Sequence, residues 1–274
     1  MEKIKAYRAP FYYLSTLWKE KGRILYMALH DLKSSHRRSF LGVFWAYFQP
    51  VVMMGLMIII FTYGFRSGSM SGDVPFPVYL ITGFVSWTFI AGMFSSGASS
   101  ISAYSFLIKK VDFPLFILPV VKQFSELYVH LVIVVLVGIV VFLFGIYPGW
   151  YWLQIFYYLF SAIVLMLGVS WFTASVSLFI PDIQQIMQIL VQLGFWVTPI
   201  FWSVDNFPPW VRLIVKINPA YYIVNGYRES FIYGIGFWEH PWISIYYWCV
   251  TLLFLIIGSI TYRNTRPHFA EVVQ

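Results

Sequence analysis

The charged residues of this chain leave five long stretches without any charge. No Asp, Glu, Lys or Arg occurs at 39–65, 74–108, 127–181, 183–204 and 240–262. A helix that crosses a bilayer needs about 20 mostly apolar residues, so each stretch can hold one crossing and the third can hold two. The chain is only 11% charged, with a mean hydropathy of +0.74, whereas a soluble domain has about 25% charged residues. We therefore predict an all-α membrane protein with six spans.

The six spans form one predicted membrane domain, which lies between an N-terminal segment and a C-terminal tail. We predict them at residues 40–65, 78–98, 117–144, 153–180, 183–202 and 242–262. The turn sequence Gly-Ile-Tyr-Pro-Gly separates the third span from the fourth, because glycine and proline interrupt helices. The predicted organisation is an N-terminal segment at 1–38, a six-span domain at 39–262 and a C-terminal tail at 263–274.

Positive charge is unevenly distributed between the two sides of the predicted bundle. Nine of the 18 lysines and arginines precede the first span. Lys109 and Lys110 follow the second span, and Arg263 and Arg266 follow the sixth. Because positive residues accumulate in cytoplasmic segments, we predict that both termini are cytoplasmic. The same asymmetry accounts for the net charge of +7, so we predict no nucleic-acid partner.

Two segments outside the spans are apolar enough to contact the membrane. Residues 10–36 carry apolar and cationic positions at helical spacing, which predicts an amphipathic helix in the membrane interface. A soluble helix packed on a partner is the alternative. Residues 203–241 are rich in Trp, Tyr and Ile, and we predict an outer re-entrant segment of short helices, broken at Asn218-Pro219 and at 234–236. A hairpin lying flat on the outer interface is the alternative.

Five short motifs occur in order along residues 28–230. They are His30-Asp31-Leu32-Lys33 with RSFLGVFW at 38–45 and Gln49-Pro50; Tyr79-Leu80 with Gly83 and Trp87; LIKKV at 107–111 with Phe113-Pro114 and Pro119; Phe179 with Asp182-Ile183, Phe195 and Thr198-Pro199-Ile200; and Asn218-Pro219 with Tyr227-Arg228. Together they resemble motifs in the membrane subunits of type-2 ABC exporters, which export polysaccharides and teichoic acids. One departure is Pro181, which stands where that family often has an arginine.

The resemblance implies a permease subunit in the bacterial cytoplasmic membrane that moves a lipid-linked cell-envelope polymer. Wall teichoic acid is the favoured cargo, because FWVTPIFW at 195–202 is most similar to that branch. O-antigen or capsular polysaccharide is the alternative cargo. A drug or lipid exporter of the same architecture and an integral-membrane glycosyl or acyl transferase are further alternatives.

The chain lacks the sequence elements that bind and hydrolyse ATP. It contains no Gly-Lys-Ser or Gly-Lys-Thr, and therefore no P-loop to hold phosphates. We predict that it is not an enzyme by itself and binds no cofactor or metal. The resemblance implies that two separate ATP-binding-cassette subunits carry ATP and Mg²⁺. It also implies that two copies of this chain enclose the path of a lipid-pyrophosphate-linked polymer.

Aromatic and amide side chains in the spans are candidates for the lining of such a path. Sugars stack their C–H faces on aromatic rings, and membrane-embedded amides face a polar path or a partner helix. The candidates are Trp45, Tyr47, Phe48, Trp87, Phe89, Phe94, Trp171, Gln188, Gln192, Phe195 and Trp196. For each ring the alternative is packing against lipid or a neighbouring helix, or a place in an interfacial belt.

Two groups of cytoplasmic polar residues are predicted to bind partners. The first is His36, Arg37 and Arg38, where span one begins. Arginine makes planar contacts with phosphate oxygens, so this group suits a pyrophosphate, with lipid headgroups as the alternative ligand. The second is Ser105, Lys109, Lys110 and Asp112, after span two. The resemblance makes this loop the predicted docking site for the ATPase subunit, and ordinary cytoplasmic flanking charge is the alternative.

Four further side chains carry simpler predictions. Lys122 and Glu126 are one helical turn apart, which predicts an ion pair near the cytoplasmic end of span three. His130 lies one turn further along and is predicted to be a hydrogen-bonded core residue. The single cysteine, Cys249, excludes an intramolecular disulfide and is predicted to be a buried small apolar residue.

Overall fold

A computed structural model describes residues 9–35, 39–64, 74–108 and 113–272, and every regular element within them is helical. The helices are α1 (Ala9–Lys19), α2 (Lys21–Ser35), α3 (Phe44–Ile59), α4 (Phe76–Ala98), α5 (Leu118–Leu143), α6 (Ile155–Phe179), α7 (Asp182–Val197), α8 (Pro209–Ile217), α9 (Pro219–Arg228), α10 (Pro241–Thr265) and α11 (Phe269–Val272). The prediction of an all-α fold is confirmed.

Five helical segments are long and apolar enough to cross a membrane. They are Phe44–Gly64, Phe76–Ala98, Leu115–Leu143, Trp150–Phe179 and Pro241–Val272. The fifth predicted span corresponds to α7, whose 16 residues extend about 24 Å, less than the roughly 30 Å of a hydrocarbon core. Thr198 ends α7 in an extended conformation because it precedes Pro199. The count of six spans and the cytoplasmic location of both termini remain predictions.

Helices α4 and α6 form the centre of the bundle, and most of their surface is buried. The crossing of α6 with α10 brings two glycines together. A Cβ atom on Gly168 would lie 2.5 Å from the backbone of Phe254 and Leu255, and one on Gly258 would contact the carbonyl oxygen of Gly168. The two backbones are therefore in direct contact, a packing that small residues allow in membrane helices.

The amphipathic N-terminal segment forms two helices, which divide at Glu20, instead of one. Helix α2 packs on α5 and buries Ile24, Ala28 and Leu32. In α1, the buried ring of Tyr13 lies 5.0 Å from the ring of Phe116. The apolar face of this segment is therefore bound to the bundle, and its location in the membrane interface remains a prediction.

The segment before α10 consists of short helices with breaks at the predicted places. Asn218 separates α8 from α9, and its side chain accepts a hydrogen bond from the backbone of Ala220, as an N-cap residue does. Gly234, with a φ of +61°, ends the helical turn that follows α9. Helix α9 packs against α4 and α6 and is almost wholly buried, so it lies inside the bundle instead of flat upon it.

The prediction for Cys249 was wrong. Its side chain is exposed on the outer face of α10, because the buried positions of that helix are taken by Tyr247, Thr251 and Leu255. The thiol is therefore directed away from the core of the chain.

Candidate functional site

A groove opens between α3, α4 and α7, and we call it the aromatic groove. Its volume is about 430 Å³. Its lining consists of Met53, Met57, Phe84, Trp87, Thr88, Ala91, Val191, Gln192, Phe195 and Trp196. Four of the side chains predicted to line a path therefore meet in one place, although they come from two distant parts of the sequence.

The rings of the aromatic groove are held at fixed angles to one another. The ring of Phe195 lies 6.4 Å from that of Trp87 and 6.3 Å from that of Phe84, edge-on to the latter. Gly194 allows this approach, because a Cβ there would lie 2.6 Å from the Trp87 indole. Trp87 is therefore packed at the base of the groove, whereas Trp196 is 64% exposed at its edge.

Three glutamines form a row along one face of α7. Gln184 donates a hydrogen bond to the Ser102 hydroxyl (3.1 Å), and Gln188 accepts one from Ser95 (3.4 Å). Gln192, one turn further, reaches the aromatic groove with its side chain exposed. The row thus connects the serines at the end of α4 with the groove, and it offers amide groups along the whole distance.

Helices α3 and α7 leave most of their apolar surface uncovered. The residues they bury are Met54 and Met57 in α3 and Met187 in α7. Near the start of α3, Phe44, Trp45 and Phe48 form an exposed cluster, in which the rings of Phe44 and Phe48 stack 5.2 Å apart. This surface is open to lipid, to a polymer or to a second polypeptide.

The structure does not support two of the predicted path residues. Trp171 has no exposed surface, and its indole N–H donates to the carbonyl of Phe116 at 3.0 Å. Phe89 is 3% exposed and stacks on the His130 ring with centroids 4.2 Å apart. Both rings belong to the core, because α4 and α6 are central helices with most of their surface buried. Tyr47 and Phe94 are partly buried against the same core, and their role in a path remains a prediction.

Asp31 is the centre of a buried polar cluster at the end of the bundle where α2 meets α5. Its carboxylate accepts hydrogen bonds from Lys122 Nζ (2.7 Å), Tyr104 Oη (2.6 Å) and Ser125 Oγ (2.9 Å). Burial and the bond to Asp31 raise the pKa of Tyr104, so the phenol stays a proton donor. Lys122 therefore pairs with Asp31, because α2 brings a carboxylate to it from outside α5, and its pairing with Glu126 stays a prediction.

Several predicted partner-binding residues lie outside the described part of the chain. They are His36, Arg37, Arg38, Lys109, Lys110 and Asp112. Ser105 is described, on the helical turn Ser102–Leu107, where it is partly buried. That turn also carries Tyr104, so the loop is joined to α2 through Asp31. The docking and pyrophosphate roles remain predictions.

The prediction for His130 is confirmed. Its Nε2 atom lies 2.8 Å from the Tyr227 hydroxyl, and the ring is 3% exposed. The bond links α5 to α9 in the core, which is a structural role and offers no open surface for proton transfer.

A second cavity, which we call the outer pocket, lies at the start of α4, at the opposite end of that helix from Tyr104. It has a volume of about 300 Å³, and α8 and α9 form much of its wall. Its ionisable side chains include Asp205, Arg212, Lys216, Arg228 and Glu229. The pocket therefore combines three cationic groups with two carboxylates.

Arg228 is the most deeply buried of these cations, with 1% of its surface exposed. Its guanidinium donates to the carbonyls of Ile200 (2.7 Å) and Tyr79 (3.3 Å) and lies 3.7 Å from the centre of the Tyr79 ring. Gly83 makes room for it, because a Cβ there would collide with the guanidinium. The motif residues of α4 and α9 are thus explained by one contact.

Glu229 points away from Arg228 towards a different set of groups. Its carboxylate accepts a hydrogen bond from Asn225 (2.6 Å) and lies 3.3 Å from His240 Nε2. Burial raises the pKa of Glu229 to about 7, although hydrogen bonds from Tyr158 and Asn225 oppose the shift. Among the described residues, no group of three His, Cys, Asp or Glu side chains could hold a metal ion.

Sequence reasoning missed the contact partners in both polar clusters. Asp31, Gly83 and Arg228 were recognised as parts of motifs, but no pattern shows that Asp31 meets Lys122 or that Gly83 meets Arg228. The signal available was a polar residue among apolar neighbours, which indicates a bonded partner without naming it.

The sequence profile described as "ABC-2 type transporter" matches residues 23–232. The chain belongs to this family, and it is a multi-pass protein of the cytoplasmic membrane.

Relatives of the chain include O-antigen export permeases and a polysialic acid transport protein. The O-antigen export system permease protein RfbA of Myxococcus xanthus is 25% identical over 94% of this chain and 97% of its own length. The protein of the same name from Klebsiella pneumoniae is 26% identical over 89% and 92%. The polysialic acid transport protein KpsM of Escherichia coli is 21% identical over 86% and 90%.

Proposed function

We propose that this chain is the membrane-spanning permease subunit of an ATP-driven exporter of O-antigen or a related cell-envelope polysaccharide. The observation that carries the proposal is its similarity, over about nine-tenths of its length, to O-antigen export permeases. These relatives favour the cargo that the sequence left as an alternative, and they give no support to wall teichoic acid.

The aromatic groove supports the proposal because its chemistry suits a sugar chain. Indole and phenyl rings offer flat apolar faces to sugar C–H groups, and Gln192 offers an amide to hydroxyls. Pairs of aromatic rings contribute about 0.5–1.5 kcal/mol beyond area burial, and a ring–sugar contact of that order is weak enough for a polymer to move from one ring to the next.

A single chain does not enclose the groove, since α3 and α7 are open on one side. We infer that a second copy covers them, so that two grooves face each other across a two-fold axis, as closed symmetric dimers do. Polar amides between membrane helices also favour association. The lipid-pyrophosphate end of the polymer would meet the cationic residues His36, Arg37 and Arg38.

Energy would come from two separate ATPase subunits that hold ATP and Mg²⁺. The cluster around Asp31 supports this arrangement, because it joins α2, the Ser102–Leu107 turn and α5 through one carboxylate. A movement of α2 or of the Ser102–Leu107 turn would therefore be transmitted directly to α5, without a flexible connection between them.

The gene should be deleted in its own host and the envelope polysaccharide examined by gel and immunoblot. We expect lipid-linked polysaccharide to accumulate inside the cell and to disappear from the surface, with recovery on expression of the intact chain. The matched control is a chain with Lys19→Gln, an exposed charge on α1 outside the five motifs. Normal surface polysaccharide in the deletion strain would refute the assignment.

A further inference from the structure

The outer pocket contains positive charge that the described chain does not neutralise. Among the described residues, neither Arg212, Lys216 nor Arg228 has a carboxylate oxygen within 4.0 Å. Two backbone carbonyls accept hydrogen bonds from the Nε and Nη2 atoms of Arg228, and an aromatic face lies beside the guanidinium, but none of these contacts removes its charge. A buried charge is costly unless it is paired, so this arrangement favours the arrival of an anion.

The two carboxylates of the pocket are engaged elsewhere. Glu229 is bonded to Asn225 and faces His240, and its raised pKa leaves part of it neutral near pH 7. Asp205 accepts from Ser203 at 3.4 Å and is exposed to solvent, where its charge is screened. Neither carboxylate therefore cancels the field of the three cations inside the cavity.

The three cations differ in how firmly they are placed. Arg212 donates to the carbonyls of Asp205 (2.6 Å) and Phe207 (2.7 Å), which fixes the loop that begins the wall of the pocket. Arg228 is fixed in the floor. Lys216 is exposed on α8, one turn beyond Arg212, and its ammonium is free to move towards a ligand.

We propose that the outer pocket binds the acidic group, phosphate or carboxylate, of a saccharide. Arg228 and Lys216 contact the anion, and the hydroxyls of Tyr221 and Tyr233 hydrogen-bond the sugar. The volume of about 300 Å³ is at the lower end of the range for small-molecule sites and suits one sugar unit. The natural ligand, an acidic unit of the exported polymer, rests on the proposed function, whereas the binding of the anion does not.

Such a site would act after translocation. The pocket lies beside α8 and α9, at the end of the bundle away from the Asp31 cluster, and the predicted topology makes this the outer side. An emerging chain held there by a charged unit cannot slide back into the groove until that unit dissociates. Weak binding is sufficient for this purpose, because each successive acidic unit can replace the previous one.

Binding can be measured on the purified full chain in nanodiscs of phosphatidylcholine, a lipid without net charge. Glucose 1-phosphate is titrated and its ³¹P relaxation is recorded. Methyl glucoside is the neutral probe, and its binding is detected by saturation-transfer NMR. We expect saturable binding of glucose 1-phosphate and none of methyl glucoside. Lys216→Gln should weaken binding about tenfold, because it removes a charge-assisted hydrogen bond to the anion, and Lys216→Arg should retain it.

Lys19→Gln is the matched control, since it removes the same charge from an exposed position on α1, near the other end of the chain. Equal affinity in Lys216→Gln and Lys19→Gln, or equal binding of both probes, would overturn the proposal. A second set of nanodiscs contains phosphatidylglycerol. If that lipid abolishes sugar-phosphate binding, the pocket belongs to an anionic headgroup and the saccharide assignment fails. Neither result affects the exporter assignment, which the deletion strain tests separately.

Discussion

At the scale of single residues, the polar side chains inside the bundle are paired in ways that the sequence indicates only in part. His130 was predicted to be bonded in the core, and it is, through Tyr227. For Lys122 only Glu126, a neighbour along α5, was predicted as a partner, and the sequence did not show that the Asp31 carboxylate reaches it from α2. Periodicity identifies neighbours within one helix, whereas contacts between helices depend on packing that no single sequence displays.

The ion pair between Asp31 and Lys122 should contribute strongly to stability. The two side chains are 8% and 14% exposed, so removal of one partner leaves the other charge poorly solvated. We expect Lys122→Met and Asp31→Asn each to lower the detergent unfolding midpoint. The double variant should be more stable than the sum of the two losses predicts, by about 0.5–3 kcal/mol.

The measurement is a double-mutant cycle of thermal unfolding. The unfolding of the purified chain is monitored by fluorescence-detected size-exclusion chromatography. Glu20→Gln with Arg23→Gln is the control cycle, because that pair lies on the surface with 25% and 49% of its side chains exposed. Surface pairs contribute less than about 1 kcal/mol, so this coupling should be small. If the losses of stability in the Asp31 and Lys122 variants are strictly additive, the contact between these residues contributes nothing to the free energy of unfolding.

At the scale of elements, the sequence predicted where the helices and their breaks lie, but not which of their side chains are buried. Charge-free stretches predicted the long helices because the membrane demands apolar length, and Asn218-Pro219 and Gly234 predicted the breaks because their backbones do not continue a helix. The fifth span is shorter than predicted because Pro199 interrupts it. Trp171 and Phe89 were predicted to line a path but lie in the core. The sequence does not show whether an aromatic residue of a span is buried or lies on an open surface.

The crossing of α6 and α10 should tolerate no side chain at its centre. An added methyl group at Gly258 would contact the Gly168 carbonyl, and backbone atoms cannot move aside without separating the helices. We expect Gly258→Ala to lower stability by about 1–3 kcal/mol. Gly22→Ala is the matched control, because that glycine has open space around it and alanine is the better helix former. Unfolding midpoints of both variants in detergent test this, and an unchanged Gly258→Ala protein would contradict close backbone packing.

At the scale of the whole molecule, the described chain forms a complete core and an incomplete site. Its central helices are mostly buried, whereas the aromatic groove is open along α3 and α7. The fold, family and membrane class follow from sequence patterns that a single chain contains. The lining of a path cannot be predicted in the same way. The surface that closes the path would come from a second copy, and a surface suited to a partner has the same apolar composition as one suited to lipid.

Trp196 distinguishes those two possibilities. It is 64% exposed at the edge of the groove, so Trp196→Ala should leave the stability of the chain almost unchanged. If the ring stacks on a moving saccharide, as the proposed function implies, its loss should reduce export about fivefold, since such contacts contribute about 1 kcal/mol. Phe195→Ala combined with Trp196→Ala should reduce export further, because two adjacent stacking positions are then absent.

Trp150→Ala is the matched control, because that indole is 87% exposed at the start of the segment preceding α6 and lies outside the groove. Export is measured as surface polysaccharide in the complemented deletion strain, with the amount of each variant in the membrane and its co-purification with the ATPase subunit determined in parallel. We expect Trp150→Ala to export normally and Trp196→Ala to export slowly at equal abundance and assembly. Export at the wild-type rate in the assembled double variant would mean that these rings face lipid, and the polymer path would then have to follow a different surface of the chain.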